Sequence, residues 1–378
     1  MSSPFISLGI SSWSEKGFGG RRKKLILRRG ASAEPEGDGG GGSPSVAFLE
    51  YTTTASTSSF TLRSTGTVDY EVDWGDGTTE SLTTTAPTHA YSSAGEYTIK
   101  VTPAEGSTYR PYVNQAVFPD TSIASVSGTG GSQLGTTLSD AWEGASNMTS
   151  FGSNIDTSSV TNFSKAWSNC RSLTSFPLID TSSGTFFTSA WQKCDSLTSF
   201  PLIDTSNGQY FYYTWGECDS LTSFPLLDTS SGTNFNRTWF QCSGLTSFPS
   251  IDTSSGTTFY RAWYGCSSLT TFPLLNVSSV TDFRAAWYEC SSLTTFPANM
   301  FNTTGTLRSD AFDQCWEGCA LSAQSIENIL TSLDTNGASN ITLGIDYGTN
   351  AAKTTWSAAA NTAYTNLVNK GWTINYNA

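Results

Sequence analysis

The sequence predicts a mainly β protein with short helices: a small β-sandwich, then a solenoid of repeated coils, then an α/β C-terminal cap. Three observations carry this. Cysteines recur at 170, 194, 218, 242, 266 and 290, a step of 24 residues that tryptophans keep at 167, 191, 215, 239, 263 and 287. Before them, residues 46–118 alternate strand-like runs ("SSFTLRS", "GEYTIKVTP") with turn signals. After them, helical and strand patterns alternate to the C-terminus. The 378 residues are enough for several domains, and only 13% are charged. Of 19 basic and 31 acidic residues, residues 1–44 hold seven and four, which leaves 12 and 27 beyond them. So acidic a body is a poor nucleic-acid reader.

Residues 1–30 set apolar pieces around a basic cluster, Arg21, Arg22, Lys23, Lys24, Arg28 and Arg29. Such a run is either a solvated tail or an arm that docks on an assembly partner. Residues 31–45 are Gly/Pro-rich and read as a flexible linker. The N-terminus lacks the order of a secretory leader, and no segment has the length and apolarity of a membrane span. Folding in a cytoplasm is therefore expected.

In residues 46–118, "WGDG" (74–77) places Asp-Gly between two strand-like segments, a hairpin signal. The one histidine, His89, has no evident Cys or acid partner and reads as structural. "VDYEVDWGDGTTE" followed by "THAYSSAGEYTIKVT" resembles PKD-type immunoglobulin-like domains. The resemblance implies a β-sandwich used as a spacer or adhesive module.

Residues 119–320 hold the repeats, with unit F-x-x-[AT]-W-x-x-C-x-x-L-[TS]-[TS]-F-P-x-[IL]-[DN]. Phe163, Ala166, Trp167 and Cys170, at offsets 0, 3, 4 and 7, fit one face of a short helix. "SLTSFPLID" then reads as extended. Such a coil cannot hide its own apolar face, and stacking on neighbours hides it. Trp142, with Ala145 in the cysteine slot, starts the series, and "FDQCWEGC" (312–319) ends it irregularly. Residues 321–378 read helix, strand, helix, strand and are expected to cap the open end. "AWxxCxSLTSFPLIDTSSGT" resembles the BspA-type branch of leucine-rich repeats, which implies binding of proteins or surfaces. "SIENILTSLDT…GWTINYNA" is similar to the C-termini of repeat proteins of tailed bacteriophages.

Each ladder has two readings. The tryptophans are a sugar-stacking platform or core, and their phase beside Phe, Ala and Cys favours core. The cysteines are small buried fillers more readily than disulfides, because adjacent rungs point alongside each other. Asp156, Asp180, Asp204, Asp228 and Asp252 either cap their own turns or line up for Ca²⁺; the turn role is the commoner. No phosphate loop, catalytic triad or metal quartet is present in the sequence, so no enzyme, cofactor or metal is expected.

The residues that do not repeat flank each Trp, and by helical phase they point outward. Tyr212, Tyr213, Arg237, Phe240, Tyr260, Arg261, Tyr264, Arg284 and Tyr288 concentrate aromatic and basic character on a Ser/Thr surface. They are the expected recognition face for a host-surface protein or glycan. The expectation for the whole is a non-enzymatic virion structural protein of a tailed phage. It would be made in the host cytoplasm, join other virion proteins through residues 1–30 and decorate capsid or tail, and it would be homo-oligomeric on the particle. A bacterial cell-surface adhesin of the BspA type and a tail-associated polysaccharide depolymerase are the alternatives.

Overall fold

The computed structural model describes residues 48–66, 68–112 and 121–378. The basic cluster at 21–29 and the linker lie outside these. Among the described residues the chain is mainly β, with two α-helices near the C-terminus.

The first strands are β1 (Leu49–Thr53), β2 (Thr57–Thr61), β3 (Ser64–Thr65), β4 (Tyr70–Asp73) and β5 (Thr79–Leu82). They are followed by β6 (Thr88–Gly95), β7 (Thr98–Pro103), β8 (Arg110–Pro111), β9 (Ile123–Ser127) and β10 (Ser150–Phe151). One sheet has the order β10-β9-β1-β7-β4-β5, and β2 pairs with β6 separately. Alternation decides the faces: Ile99, Val101 and Pro103 of β7 point inward while Thr98, Lys100 and Thr102 face water. Phe60 of β2 meets Tyr51 of β1 at 6.0 Å, which joins the two sheets. Strand β9 lies beyond the expected boundary at 118, yet it pairs with β1 on one side and with β10 of the first repeat on the other. The sheet therefore continues into the repeats.

"WGDG" turns the β4–β5 hairpin, with Asp73 opposite Thr79. Gly75 has φ +82, and a Cβ there would lie 2.5 Å from the Thr98 carbonyl oxygen. Only glycine fits.

The expected short helix in each repeat is not formed. Residues 163–170 make consecutive turns instead. Ala166, Ser168 and Cys170 donate to the carbonyls three residues back, Phe163, Lys165 and Trp167. The intervening N–H groups leave the repeat: Phe163 donates to Phe186 O (2.8 Å), Lys165 to Thr188 O (2.8 Å), Trp167 to Ala190 O (2.9 Å) and Asn169 to Gln192 O (2.7 Å). Lys165 and Asn169 reach this geometry at φ +56 and +62, outside the helical region. Later repeats do likewise, and parallel bridges run Asn162–Phe186–Tyr210–Asn234–Thr258–Asp282. The 0, 3, 4, 7 spacing reports an inward face, but β-turns rather than a helix create it.

Inside, the indoles of residues 142, 167, 191, 215, 239, 263, 287 and 316 form one column, with neighbouring centroids 5.2–6.1 Å apart. Phe176 stands edge-on between Trp167 and Trp191, at 4.8 and 5.2 Å, and its equivalents do the same. All eight indole N–H groups are buried without an acceptor. Burying an indole gains roughly 4–6 kcal/mol from area, against about 1–3 kcal/mol for the orphan donor, so burial wins. The cysteine rungs are free thiols that donate to the previous repeat, as Cys218 Sγ does to Trp191 O at 3.1 Å. The irregular end is a full rung: Phe312, Cys315, Trp316 and Cys319 repeat the offsets, and both thiols donate to carbonyls.

Helix α1 (Ala323–Asn336) starts at Ser322, whose hydroxyl accepts from Ser325 N–H, and ends at Gly337 in the left-handed conformation. Helix α2 (Ala358–Asn369) follows β11 (Thr342–Ile345) and precedes β12 (Thr373–Tyr376), and the two strands pair in parallel. Leu343 bridges Phe312, which attaches this segment to the last rung. At the same junction, burial pushes the Glu317 carboxyl up to about 7, with Asp346 and then Asp313 adding to the shift. The Asp346 Oδ1 atom is buried without a hydrogen-bond partner.

Two outcomes follow. Gln241, exposed at φ +55 in the slot where the next repeat has Gly265, becomes less strained as glycine. Gln241→Gly is expected to stabilise by about 1 kcal/mol in denaturant melts, after the entropy cost of glycine. Because Glu317 holds its proton more tightly when folded, stability falls as pH rises from 4.5 to about 7. Glu317→Gln should remove that part of the slope, as measured by melting midpoints across this window.

Candidate functional site

The nine residues singled out from the sequence come together on one face, all half-buried. They occupy the two positions before and the one after the conserved-spacing motif's Ala/Thr-Trp pair in the last four regular repeats, and the inter-repeat hydrogen bonds set their step. Tyr213, Arg237 and Arg261 stand at φ +58, +54 and +55, so the turn itself fixes where these side chains leave the backbone.

The rings pack in sequence. Phe240 stacks on Tyr264 (5.0 Å) and Tyr264 on Tyr288 (4.8 Å), while Tyr213 tilts against Phe240 (5.5 Å). Their faces are turned on one another, so they offer edges and hydroxyls outward rather than flat platforms for sugar rings. Tyr260 stands among three guanidinium groups: Arg261 and Arg284 lie 5.1 Å and Arg237 5.7 Å from its centroid. Arg237 also donates to the Tyr212 hydroxyl at 3.3 Å. Arg284 is neutralised by Asp282 (2.7 Å) and Asp310 (3.2 Å), and its pKa is raised, mostly by the Asp282 hydrogen bond.

Beside the ring row runs a groove of about 500 Å³. Its lining comes from the second residue after each Trp (Glu217, Gln241, Gly265, Glu289) and the residue after each Cys (Asp219, Ser243, Ser267, Ser291). Glu217 accepts from the Tyr213 hydroxyl at 2.6 Å and pairs with Lys193 at 3.6 Å. Burial, then the charges of Asp195 and Glu217, raises the Asp219 carboxyl. Burial first and Glu289 second hold the Tyr264 phenol above its usual value, so it remains a protonated donor. The face thus runs from arginines through aromatic rings to a carboxylate- and hydroxyl-lined groove.

Sequence reasoning missed the residue after each Cys, a variable position that the outward slots beside Phe and Trp do not include. It also missed a second stripe: Leu178, Leu202, Leu226 and Leu274 are each more than half exposed. The signal was present in "LIDT", where Leu178 and Asp180 face out and Ile179 and Thr181 face in. His89 needs a correction too. Its Nε2 lies 2.8 Å from Asp76 Oδ2, and its ring stacks on Trp74 at 4.9 Å. Thr78 first, then His89, lowers the Asp76 carboxyl to about 2. The pair pins the hairpin loop. The aspartate ladder caps turns: Asp180 Oδ1 accepts from Ser182 N–H at 2.9 Å, and Asn276 does the same for Ser278 at 3.1 Å. Thr181 Oγ1 then clamps the next repeat by donating to Asp204 O at 2.6 Å.

The cysteine rungs are sealed, and burial raises their thiol pKa values, that of Cys242 to about 12. Native protein at pH 8 should therefore leave the thiols of Cys170 through Cys319 unmodified by iodoacetamide, whereas denatured protein should alkylate all of them. Rapid native labelling, counted by mass spectrometry, would contradict the burial.

Residues 45–106 match the PKD domain family, which identifies the first β segment as a PKD-type immunoglobulin-like part. No curated protein and no solved structure matches the chain.

Proposed function

We propose that this protein is a non-enzymatic recognition protein, in which a PKD-type domain carries a leucine-rich-repeat-like solenoid whose outward face binds a surface ligand. The observation that carries the reading is the continuous run of half-buried rings and guanidinium groups from Tyr212 to Tyr288, held at a fixed step by backbone hydrogen bonds. Aromatic and arginine side chains pre-ordered on a rigid frame lose little entropy on binding, which is what an interface anchor needs. The α1–β12 segment serves as the cap that occupies the last rung's free edge. The setting we favour is a tailed-phage particle, with residues 1–30 as the docking arm. Free, buried thiols in every regular repeat suit folding in a reducing cytoplasm.

Two measurements test this. Purified chain is expected to be retained by cell-envelope material of the bacterium in which the gene is expressed. Tyr212→Ser/Tyr260→Ser/Tyr264→Ser should lose about tenfold in affinity or more while melting within a few degrees of the parent. Equal retention of both proteins would remove the face from the account. Immunogold labelling of intact particles should decorate them, and bare particles would rule out the virion setting.

A further inference from the structure

We propose that Arg237 and Arg261, gathered around Tyr260, form a receptor for the carboxylates of a uronate-bearing polysaccharide whose hydroxyls lie in the groove on the other side of the ring row. This rests on the recognition reading above and adds the chemical class of the ligand.

The cluster holds uncompensated charge. Three guanidinium groups surround one tyrosine ring, but only Arg284 has carboxylate partners. Neither Arg237 nor Arg261 is ion-paired to a carboxylate among the described residues, and the Nε of each is buried with no acceptor. This happens on a chain of net charge −12, where carboxylates are the commoner charged group. Cation–π contact orients a guanidinium without neutralising it. The nearby Glu217 is already engaged by Tyr213 and Lys193. What completes the cluster is an anion from outside that meets the terminal guanidinium nitrogens, since the Nε atoms are sealed from solvent, and a planar carboxylate matches that end.

The lining of the groove identifies the molecule that carries the carboxylate. The groove offers Ser243, Ser267 and Ser291 at one step, with Asp219 in the same slot of the preceding repeat, and Glu217, Gln241 and Glu289 from the slot two after each Trp. These are donors and acceptors for hydroxyl groups, repeated once per repeat, and the lining includes no apolar side chain of the kind that receives peptide side chains. Its carboxylates repel a ligand charged all round. They accept an extended, hydroxylated chain whose acid groups lie along one edge, toward the arginines. Because the rings present edges and hydroxyls, recognition proceeds by hydrogen bonds rather than by stacking on sugar faces.

Affinity electrophoresis of the whole chain tests this in gels that contain polygalacturonate, its methyl ester, dextran sulfate or poly-aspartate. Polygalacturonate should retard the protein, less so as salt is added, and the other three should not. Arg237→Gln/Arg261→Gln should weaken retardation about tenfold or more, and Arg284→Gln less than about threefold, because its charge is already answered. Arg261→Gln alone leaves the Arg237–Tyr212 bond in place and should shift affinity in the same direction, which covers the case where the double variant fails to fold. Equal retardation by the methyl ester overturns the proposal, as does stronger retardation by dextran sulfate or poly-aspartate, or an unaffected Arg261→Gln. A chain retained by envelope material through its tyrosines but not by polygalacturonate overturns the ligand class alone. A chain retained by neither overturns both readings.

Discussion

Each repeat depends on a hydrogen-bond deficit that it cannot make good alone. Within every run from Phe to Cys, alternate N–H groups close turns and the rest point to the neighbouring repeat. Left unpaired in an apolar setting, each such donor costs about 1–3 kcal/mol; paired, each contributes about 1 kcal/mol net. An isolated unit is thus unstable, and a neighbour supplies what it lacks. The same arrangement seals the indole column, because the backbones that carry the tryptophans are drawn together at the stacking distance.

That constraint explains the composition. Tryptophan and phenylalanine fill a wide interior, cysteine and alanine occupy the narrow slots, and Thr181 and its equivalents tie one repeat to the next carbonyl. It also explains where part of the proposed face sits, since Tyr213, Arg237 and Arg261 stand at positive φ. The positions at positive φ flank each Trp, their side chains stay outside the column, and they tolerate Lys, Ser, Tyr, Arg and Gln alike. Framework and face are separated within eight residues of chain.

Much of this was legible from spacing. The period named the rungs, and Phe163, Ala166, Trp167 and Cys170 are all buried as the offsets require. The helix was misread because turns at alternating bond directions give the same inward residues as a 3.6-residue period. The left-handed φ values at Lys165 and Asn169 and the N–H groups that leave the repeat distinguish them, and neither residue type announces such a conformation. The site was legible as a set of residues but not as chemistry. Arg284 is neutralised by Asp282, two residues before it, and by Asp310, 26 residues away in sequence, whereas Arg237 and Arg261 meet no carboxylate among the described residues. The acid partner of His89, Asp76, is separated from it by 13 residues and is met through the stacking of the His89 ring on Trp74.

The repeat region therefore stands on a continuous, dry interior closed by bonds between repeats. Hydrogen exchange at the indole nitrogens, followed by NMR on ¹⁵N-tryptophan-labelled protein, probes it most directly. The indole protons of Trp167 through Trp287 should persist until the chain unfolds globally, and guanidinium chloride should release them together. Exchange of these protons within minutes in native buffer, or rung by rung at unrelated rates, would contradict it.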